Sequence, residues 1–424
     1  MKKRVLMLSW EYPPRVIGGL ARVVSELSKQ MAKQGWEVHV VTADHPSTAE
    51  HEIENGVHVH RVKTQTDWTP DFLTWVSRLN YGLLQYAIEL HTQTPFDVVH
   101  AHDWMVADAG WVFKSGFKVP MVCTIHATES GRMHGLHSDM QRYISQIEWR
   151  LTFESWNVIV NSRHMQAELI QQFKTPADKI AVIPNGIDPS NFEFTFDAAA
   201  LRRQYASTND KIVLYVGRMV REKGVQVLLQ SAQSIIGAAP GTRFLLVGTG
   251  YYLEDLKRTA AFLNVSNNVS FLGYVSDPDL LRLYKIADVV VIPSLYEPFG
   301  IVALEGMAAG VPVVTSDAGG LTDFVEHMKT GITTYAGDPG SLAWGVLEIL
   351  RNPDLASSLA ASADRSVKEI YNWRIIAQRT LSVYEKVIAE AAAVGFASAS
   401  QAPAALKAPN VVSPPQPAGK KSGN

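Results

Sequence analysis

The chain has 424 residues, enough for two domains and for a sizeable core, and 46% of them are apolar against 19% charged, which excludes a disordered chain. A formal net charge of −2 gives no electrostatic reason to bind nucleic acid. One cysteine excludes an intrachain disulfide and a cysteine metal cluster.

The start, Met1-Lys2-Lys3-Arg4, imitates the basic head of a signal peptide. Only Val5 to Leu8 is apolar before Ser9, Trp10, Glu11 and two prolines. That is too short for a signal core or a membrane span, so a cytoplasmic protein is expected. Arg4 to Leu8 predicts a strand, Leu20 to Gln34 an amphipathic helix ended by Gly35, and Glu37 to Ala43 a second strand. Strand–helix–strand is the unit of a parallel sheet. Gly18-Gly19, just before the helix, lets backbone approach a ligand closely beside N–H groups able to hold a phosphate oxygen. A plain tight turn is the alternative. No Gly-x-Gly-x-x-Gly follows the first strand, so this is no dinucleotide fingerprint.

Asp67 to His91 predicts a helix rich in Trp, Tyr and Leu. The strand Phe96 to His102 ends in Asp103-Trp104, and the strand Val119 to Ile125 ends in His126. His102, Asp103 and His126 thus leave two strand ends at one predicted edge, beside Gly18-Gly19. Cys123, between Val122 and Thr124, fits a buried strand thiol better than a nucleophile. Glu129 to Met140, with Gly131, His134, Gly135 and His137, is expected to be a mobile loop. Met140 to Ser155 predicts a helix, Asn157 to Asn161 a strand, Arg163 to Phe173 a helix capped by Ser162, and Lys179 to Ile183 a strand. Pro184-Asn185-Gly186-Ile187-Asp188 carries turn chemistry and closes the first domain, taken as residues 1–190.

A second strand–helix series fills 191–372. The strand Lys211 to Val216 ends in Gly217-Arg218, and Lys223 stands just before the next helix at Val225. An Arg fork and a Lys point charge suit a diphosphate. A solvated charged loop is the alternative. Arg243 to Val247 predicts a strand before Gly248-Thr249-Gly250, but Leu253 takes the third glycine position, which argues against a nicotinamide site. Strands are also expected at Val269 to Phe271 and Pro312 to Ser316, with a helix at Leu280 to Ala287. The loop Asp317 to Leu321 offers bare backbone to phosphate.

Between them lies the stretch that organises the chain. The buried strand Val289 to Ile292 leads through Glu297-Pro298-Phe299-Gly300 into a helix from Ile301 to Ala309. Ligands of open α/β sheets sit beyond the carboxyl ends of the strands, which places Glu297 at the mouth. The amides of Phe299, Gly300 and Ile301 would open the helix, a terminus that favours anionic or hydroxyl-rich ligands. Glu305 lies ~80° round the helix axis from Glu297, so both acids can line one pocket at different depths. Two further helices at Ser341 to Leu350 and Leu355 to Glu369 precede a last one, 373–392. The tail 393–424 turns to Ala, Pro, Ser and Gly, and disorder is expected there.

These motifs resemble the retaining nucleotide-sugar glycosyltransferases of the two-Rossmann-domain type (GT-B), specifically family 4 with its group 1 transferases, and the related glycogen synthases. The resemblance spans about residues 4 to 390. It is carried by the Glu-x7-Glu of Glu297 and Glu305, by Gly217-Arg218 and Glu222-Lys223-Gly224, and by Gly18-Gly19-Leu20, Thr124-Ile125-His126 and Pro184 to Asp188. It implies an α/β fold of two doubly wound domains facing a cleft, with the last helix packed back on the first domain. It implies that Glu305 holds the donor ribose and that Glu297, with the Phe299, Gly300 and Ile301 amides, holds the donor sugar. Arg218 and Lys223 would bind the diphosphate, Gly18 and Gly19 the distal phosphate, His126 the sugar near its reacting carbon, and Asp103 the acceptor. No cofactor and no essential metal are expected. Expected partners are a UDP-, ADP- or GDP-sugar and a sugar, glucan or lipid-linked acceptor, the last with association at the inner membrane face. Arg15-Val16-Ile17 stands where bacterial glycogen synthases carry a Lys-Thr pair, which favours a general family 4 transferase over a glucan synthase. A sugar-nucleotide epimerase and a non-catalytic sugar-binding protein are alternatives on the same fold. The donor base, the acceptor and the oligomeric state stay open at this stage.

Overall fold

Residues 2–63 and 68–396 are described in the structure, a computed structural model. The N-terminal half runs β1 (Arg4–Leu8), α1 (Gly19–Lys33), β2 (Glu37–Ala43), β3 (His51–Glu54), β4 (Val57–Val62), α2 (Phe72–Gln93), β5 (Val98–His102), α3 (Ala107–Phe117), β6 (Met121–Ile125), α4 (Glu129–Arg132), α5 (Asp139–Glu154), β7 (Asn157–Val160), α6 (Arg163–Phe173) and β8 (Ile180–Val182). The described strands form one sheet in the order β3-β4-β2-β1-β5-β6-β7-β8, parallel except for β3. Asp71 caps α2 at the Thr74 amide, four residues beyond the expected start at Asp67, which lies outside the described residues.

The second half runs α7 (Ala198–Arg202), β9 (Lys211–Val216), α8 (Val225–Ala238), β10 (Thr242–Val247), α9 (Leu253–Phe262), β11 (Val269–Gly273), α10 (Asp277–Ile286), β12 (Val289–Ile292), α11 (Ile301–Ala308), β13 (Val313–Ser316), β14 (Ile332–Thr334), α12 (Pro339–Arg351), α13 (Pro353–Ile370) and α14 (Trp373–Ala393). Its strands form a parallel sheet in the order β11-β10-β9-β12-β13-β14.

Both sheets are buried on both faces, which is why their strands read as continuous apolar runs. Leu6 and Leu8 pack on one side of the first sheet and Val5 and Met7 on the other. Ile212 and Leu214, against Val213 and Tyr215, do the same in the second. The last helix completes the first domain: Trp373, Ile376, Leu381, Tyr384 and Val387 of α14 share a core with Val5, Met7 and α1. Tyr384 also hydrogen-bonds His100 Nδ1 at 2.6 Å inside that core. Disorder does not begin at 393. Ala393 closes α14, and the Phe396 ring packs edge-on against Trp156 at 5.5 Å because α14 carries it back to the first domain. The rest of the expected disordered tail, 397–424, lies outside the described residues.

Strand order reverses between β1 and β5 in the first sheet and between β9 and β12 in the second. A crevice opens at such a switch point, beyond the strand ends. Gly18-Gly19 follows β1, Asp103 follows β5, Arg218 and Lys223 follow β9, and Glu297 follows β12. His126 follows β6, one strand further on. The topology thus delivers the candidate residues to the two crevices.

Candidate active site

The loop after β1 is held from within by a residue the sequence reading passed over. Glu11 is buried, and its Oε2 accepts the N–H groups of Ile17 at 2.6 Å and Gly18 at 3.3 Å. Burial pushes its carboxyl above the ordinary range, against the pull of those amides. The Gly18 N–H is therefore turned toward Glu11, and α1 opens at Gly19 with no side-chain cap. Across the cleft, Gly19 faces Ile301 at the start of α11. A Cβ added at Gly19 would lie 3.3 Å from Ile301 Cδ1, so the two domains meet where both helices begin.

Asp103 has φ 64°, and its Oδ1 accepts the His126 backbone N–H at 2.8 Å. Its carboxylate thereby fixes the turn that presents the His126 ring. That ring meets His102 Nδ1 through Nε2 at 3.1 Å. Burial lowers the His126 pKa despite the nearby Asp103 carboxylate, so the imidazole is neutral near pH 7. Beneath it, His100 binds Thr124 Oγ1 at 2.7 Å, with its pKa brought down to about 3 by burial.

On the other wall, Lys223 Nζ donates to Glu297 Oε2 at 2.7 Å, and Ser294 Oγ donates to the same oxygen at 3.1 Å. Glu297 is 8% exposed. The carbonyl of Glu222 accepts the amides of Leu295 and Tyr296, tying the β9 loop to the β12 loop. Arg218 stands apart, half-exposed, with its guanidinium toward Glu222 at 3.5 Å. The Phe299 side chain is buried against Phe324, so only its backbone can meet a ligand. Gly300 takes φ +100°, and a Cβ there would meet Leu321 at 2.5 Å, so this strand-to-helix turn requires glycine. No side chain caps α11, which leaves its first amides to the cleft.

Glu305 does not share partners with Glu297. It is 8% exposed like Glu297, with Oε2 accepting the Tyr284 hydroxyl at 2.6 Å and Oε1 facing Arg22 Nη1 at 3.4 Å. Arg22 comes from α1 and also holds Asp277, so it spans the domains. Burial raises the Glu305 carboxyl, and Arg22 and the Tyr284 hydroxyl oppose that rise. A cavity of about 320 Å³, with Arg22, Asp188, Asp277, Tyr284 and Ile301 among its walls, opens on Glu305. Arg22, Tyr284, Ser294 and Glu11 were not singled out in the sequence. Only Arg22, one turn into the helix after Gly18-Gly19, had a positional signal.

In the loop Asp317 to Leu321 the Gly320 amide is not available to phosphate: its N–H donates to the Glu297 carbonyl at 2.8 Å and so braces the acid loop. Within the segment Glu129 to Met140, residues 129–132 form α4, capped by Thr128, and Gly131 lies against the Tyr296 hydroxyl of the other domain, while Met133 and Met140 are exposed. Gly224 has φ +69°, and a Cβ there would sit 1.8 Å from the Pro293 carbonyl oxygen. Gly224→Ala is therefore expected to cost more than the ~1–3 kcal/mol of backbone strain alone, read from urea unfolding. A change within ~0.5 kcal/mol, as for an ordinary surface site, would show that the loop yields freely.

Fold and site together define a two-domain α/β protein whose cleft brings the Lys223–Glu297 pair and the uncapped start of α11 opposite Gly19. Comparison with known proteins agrees. Residues 197–366 match the model of the glycosyl transferases group 1, and residues 17–191 that of glycosyltransferase family 4. The chain is 39% identical to an uncharacterized glycosyltransferase of Methanocaldococcus jannaschii, over 90% of this chain and 98% of that one. It is 36% identical to a glycogen synthase of Mycobacterium tuberculosis, over 90% and 94%. The fold matches sucrose-phosphate synthase of Thermosynechococcus elongatus with TM-score 0.80 at 24% identity, covering 92% of this chain and 100% of that one. HepE of Anabaena, solved with UDP-glucose, matches with TM-score 0.75 at 24% identity, covering 90% and 99%. The chain belongs to the group 1 glycosyltransferases and is a glycosyl-transferring enzyme of the GT-B fold.

Proposed function

We propose that the enzyme moves a hexosyl group from a nucleoside-diphosphate sugar to a hydroxyl acceptor with retention of configuration. The observation that carries this reading is the 2.7 Å Lys223–Glu297 pair at the uncapped start of α11, facing Gly19 across the cleft. Lys223 and Arg218 stabilise the negative charge that gathers on the leaving diphosphate. Glu297 and the Phe299, Gly300 and Ile301 amides hold the donor sugar, Gly18 and Gly19 admit the distal phosphate, and Glu305 takes the ribose hydroxyls. Neutral His126 lies at the reacting carbon, and Asp103 lies on the acceptor side. The acceptor oxygen bonds to the anomeric carbon as the bond to the diphosphate breaks, on the same face. The acceptor proton passes to the departing phosphate oxygen. In this reading the two cations supply the charge that a metal supplies in other transferases, and EDTA leaves the rate unchanged.

The HepE structure with UDP-glucose supports a nucleotide-sugar donor through its shared fold. A second reading, elongation of an α-glucan from UDP- or ADP-glucose, is favoured by the 36% identity to a glycogen synthase. We place the enzyme in the cytoplasm, where a lipid-linked acceptor would bring it to the inner membrane face. No helix among the described residues is long and apolar enough to cross a membrane.

The test is an NMR time course with labelled UDP-, ADP- and GDP-glucose and a panel of sugar, glucan and lipid-linked acceptors. A product of retained anomeric configuration is expected. An inverted product would remove the same-face route, and an epimer formed from donor alone would replace transfer by epimerisation.

Glu305 predicts a pH signature. Its folded carboxyl titrates above the ordinary 4.5. The protonated form accepts fewer hydrogen bonds, so donor affinity should fall as pH falls through that raised value. Stability of the unliganded protein runs the other way. A carboxyl raised by folding contributes stability that is present below 4.5 and lost as pH climbs through its folded value. Calorimetric titration across that range, with Glu305→Gln removing both effects, checks it. A pH-independent affinity in the wild type would contradict it.

A further inference from the structure

On the outside of the N-terminal domain, α3 and α5 frame a cavity of about 500 Å³ that the cleft does not use. Its walls are Asp108, Trp111, Tyr143, Gln146, Trp149 and Arg150. The volume lies within the ~300–1,000 Å³ of small-ligand pockets. The solvent side of α5 is aromatic: Tyr143 is 49% exposed, Trp149 45% and Phe153 65%, where surface aromatics need a reason. Trp149, which lines the cavity, stacks on Phe153 at 5.4 Å with planes 20° apart. The Arg150 guanidinium lies over the Trp111 ring. A carboxylate, an amide and a guanidinium therefore ring the aromatic floor.

That combination suits a sugar chain. The C–H faces of pyranose rings stack on aromatic planes, and their hydroxyls need donors and acceptors at the rim. A membrane would need a convex, cationic face. This face is concave, and its charges alternate in sign: Arg142 pairs with Asp139, Lys114 with Glu154, and Arg150 lies near Asp108. Its place also fits. Asp108 follows Asp103 by five residues, in the first turn of the helix that leaves the acceptor-side strand end.

We propose that this cavity is a second saccharide site, binding a neutral oligosaccharide outside the catalytic cleft. Its role in retaining an acceptor chain rests on the glycosyl-transfer reading, but binding itself requires no donor, so the two fail separately. The test is calorimetric titration of the full chain with maltoheptaose and with cellohexaose, on wild type, Trp149→Ala, Asp108→Asn and Glu305→Ala. Binding of at least one oligosaccharide is expected, weakened about tenfold in Trp149→Ala and retained in Glu305→Ala. The thermal shift given by a nucleotide-sugar should be unchanged in Trp149→Ala, which also shows that this variant is folded. Three results would overturn the proposal. Neither sugar binds the wild type; binding survives both Trp149→Ala and Asp108→Asn or is lost in Glu305→Ala instead; or the face binds phosphatidylcholine–phosphatidylglycerol vesicles in a Trp149-dependent way while sugars do not bind.

Discussion

Lys223→Ala is expected to lower kcat by about 10²–10³, the usual effect of removing one group that stabilises developing negative charge. The geometry makes this the most sensitive position in the cleft. Lys223 reaches Glu297 Oε2 at 2.7 Å from the loop after β9, while Glu297 itself stands on the loop after β12. In the proposed reading one ammonium faces the diphosphate and steadies the acid that holds the sugar. Its removal also strands a carboxylate that is 8% exposed, and breaking such a pair costs about 3–5 kcal/mol when fully buried. The two effects separate in the double variant Lys223→Met with Glu297→Gln. There the uncompensated charge is gone, so thermal stability should return toward wild type while turnover stays low. Lys223→Arg is not a conservative control, because a planar fork cannot replace a point charge within one hydrogen-bond length. If Lys223→Ala kept kcat within a factor of two, the leaving-group role would be wrong.

Glu305→Ala is expected to weaken donor binding by about 10- to 100-fold, since hydrogen bonds to a charged acceptor contribute roughly 1.5–3 kcal/mol. The loss should appear mainly in the donor Kd and KM, with a smaller change in kcat, because the ribose is remote from the bond that breaks. Arg22 and the Tyr284 hydroxyl both lean on this carboxylate. Arg22→Ala should therefore perturb donor affinity although it arises from the opposite domain. An unchanged Kd in Glu305→Ala would move the ribose elsewhere in the cleft.

Much of this cleft was legible before the fold was known, because its residues sit where strand ends meet helix starts. Val289 to Ile292 and Lys211 to Val216 read as buried strands from their apolar runs, which set Glu297, Arg218 and Lys223 at sheet edges. The partners that hold those residues were not legible. Tyr284 faces inward from an amphipathic helix, where an aromatic reads as core, and its hydroxyl contact with Glu305 exists only after α10 and α11 pack. Glu11 lay among turn residues and carried no signal of its own, yet it is buried and its carboxylate accepts the Ile17 amide of the loop before Gly18-Gly19. That Glu305 pairs with Arg22 and Tyr284 and not with the partners of Glu297 also escaped periodicity, which fixes angle round a helix and not what covers it. The β3–β4 hairpin had a signal that went unread. Asn55-Gly56, at φ 50° and 83°, joins two runs, the second with Val57, Val59 and His60 buried and His58 between them half-buried. Histidine at alternate positions made a buried strand look polar. The Gly319-Gly320 loop erred the other way: glycines that looked free for phosphate serve backbone packing against the acid loop.

The most direct test is calorimetric titration of UDP-, ADP- and GDP-glucose into the wild type and into Glu305→Ala, in parallel with a thermal-shift series. One donor should bind the wild type with clear stabilisation, with and without EDTA, and bind the variant at least tenfold more weakly. A wild type that binds none of the three, or a variant that binds as tightly as wild type, would contradict the assignment of this cleft to a nucleotide-sugar.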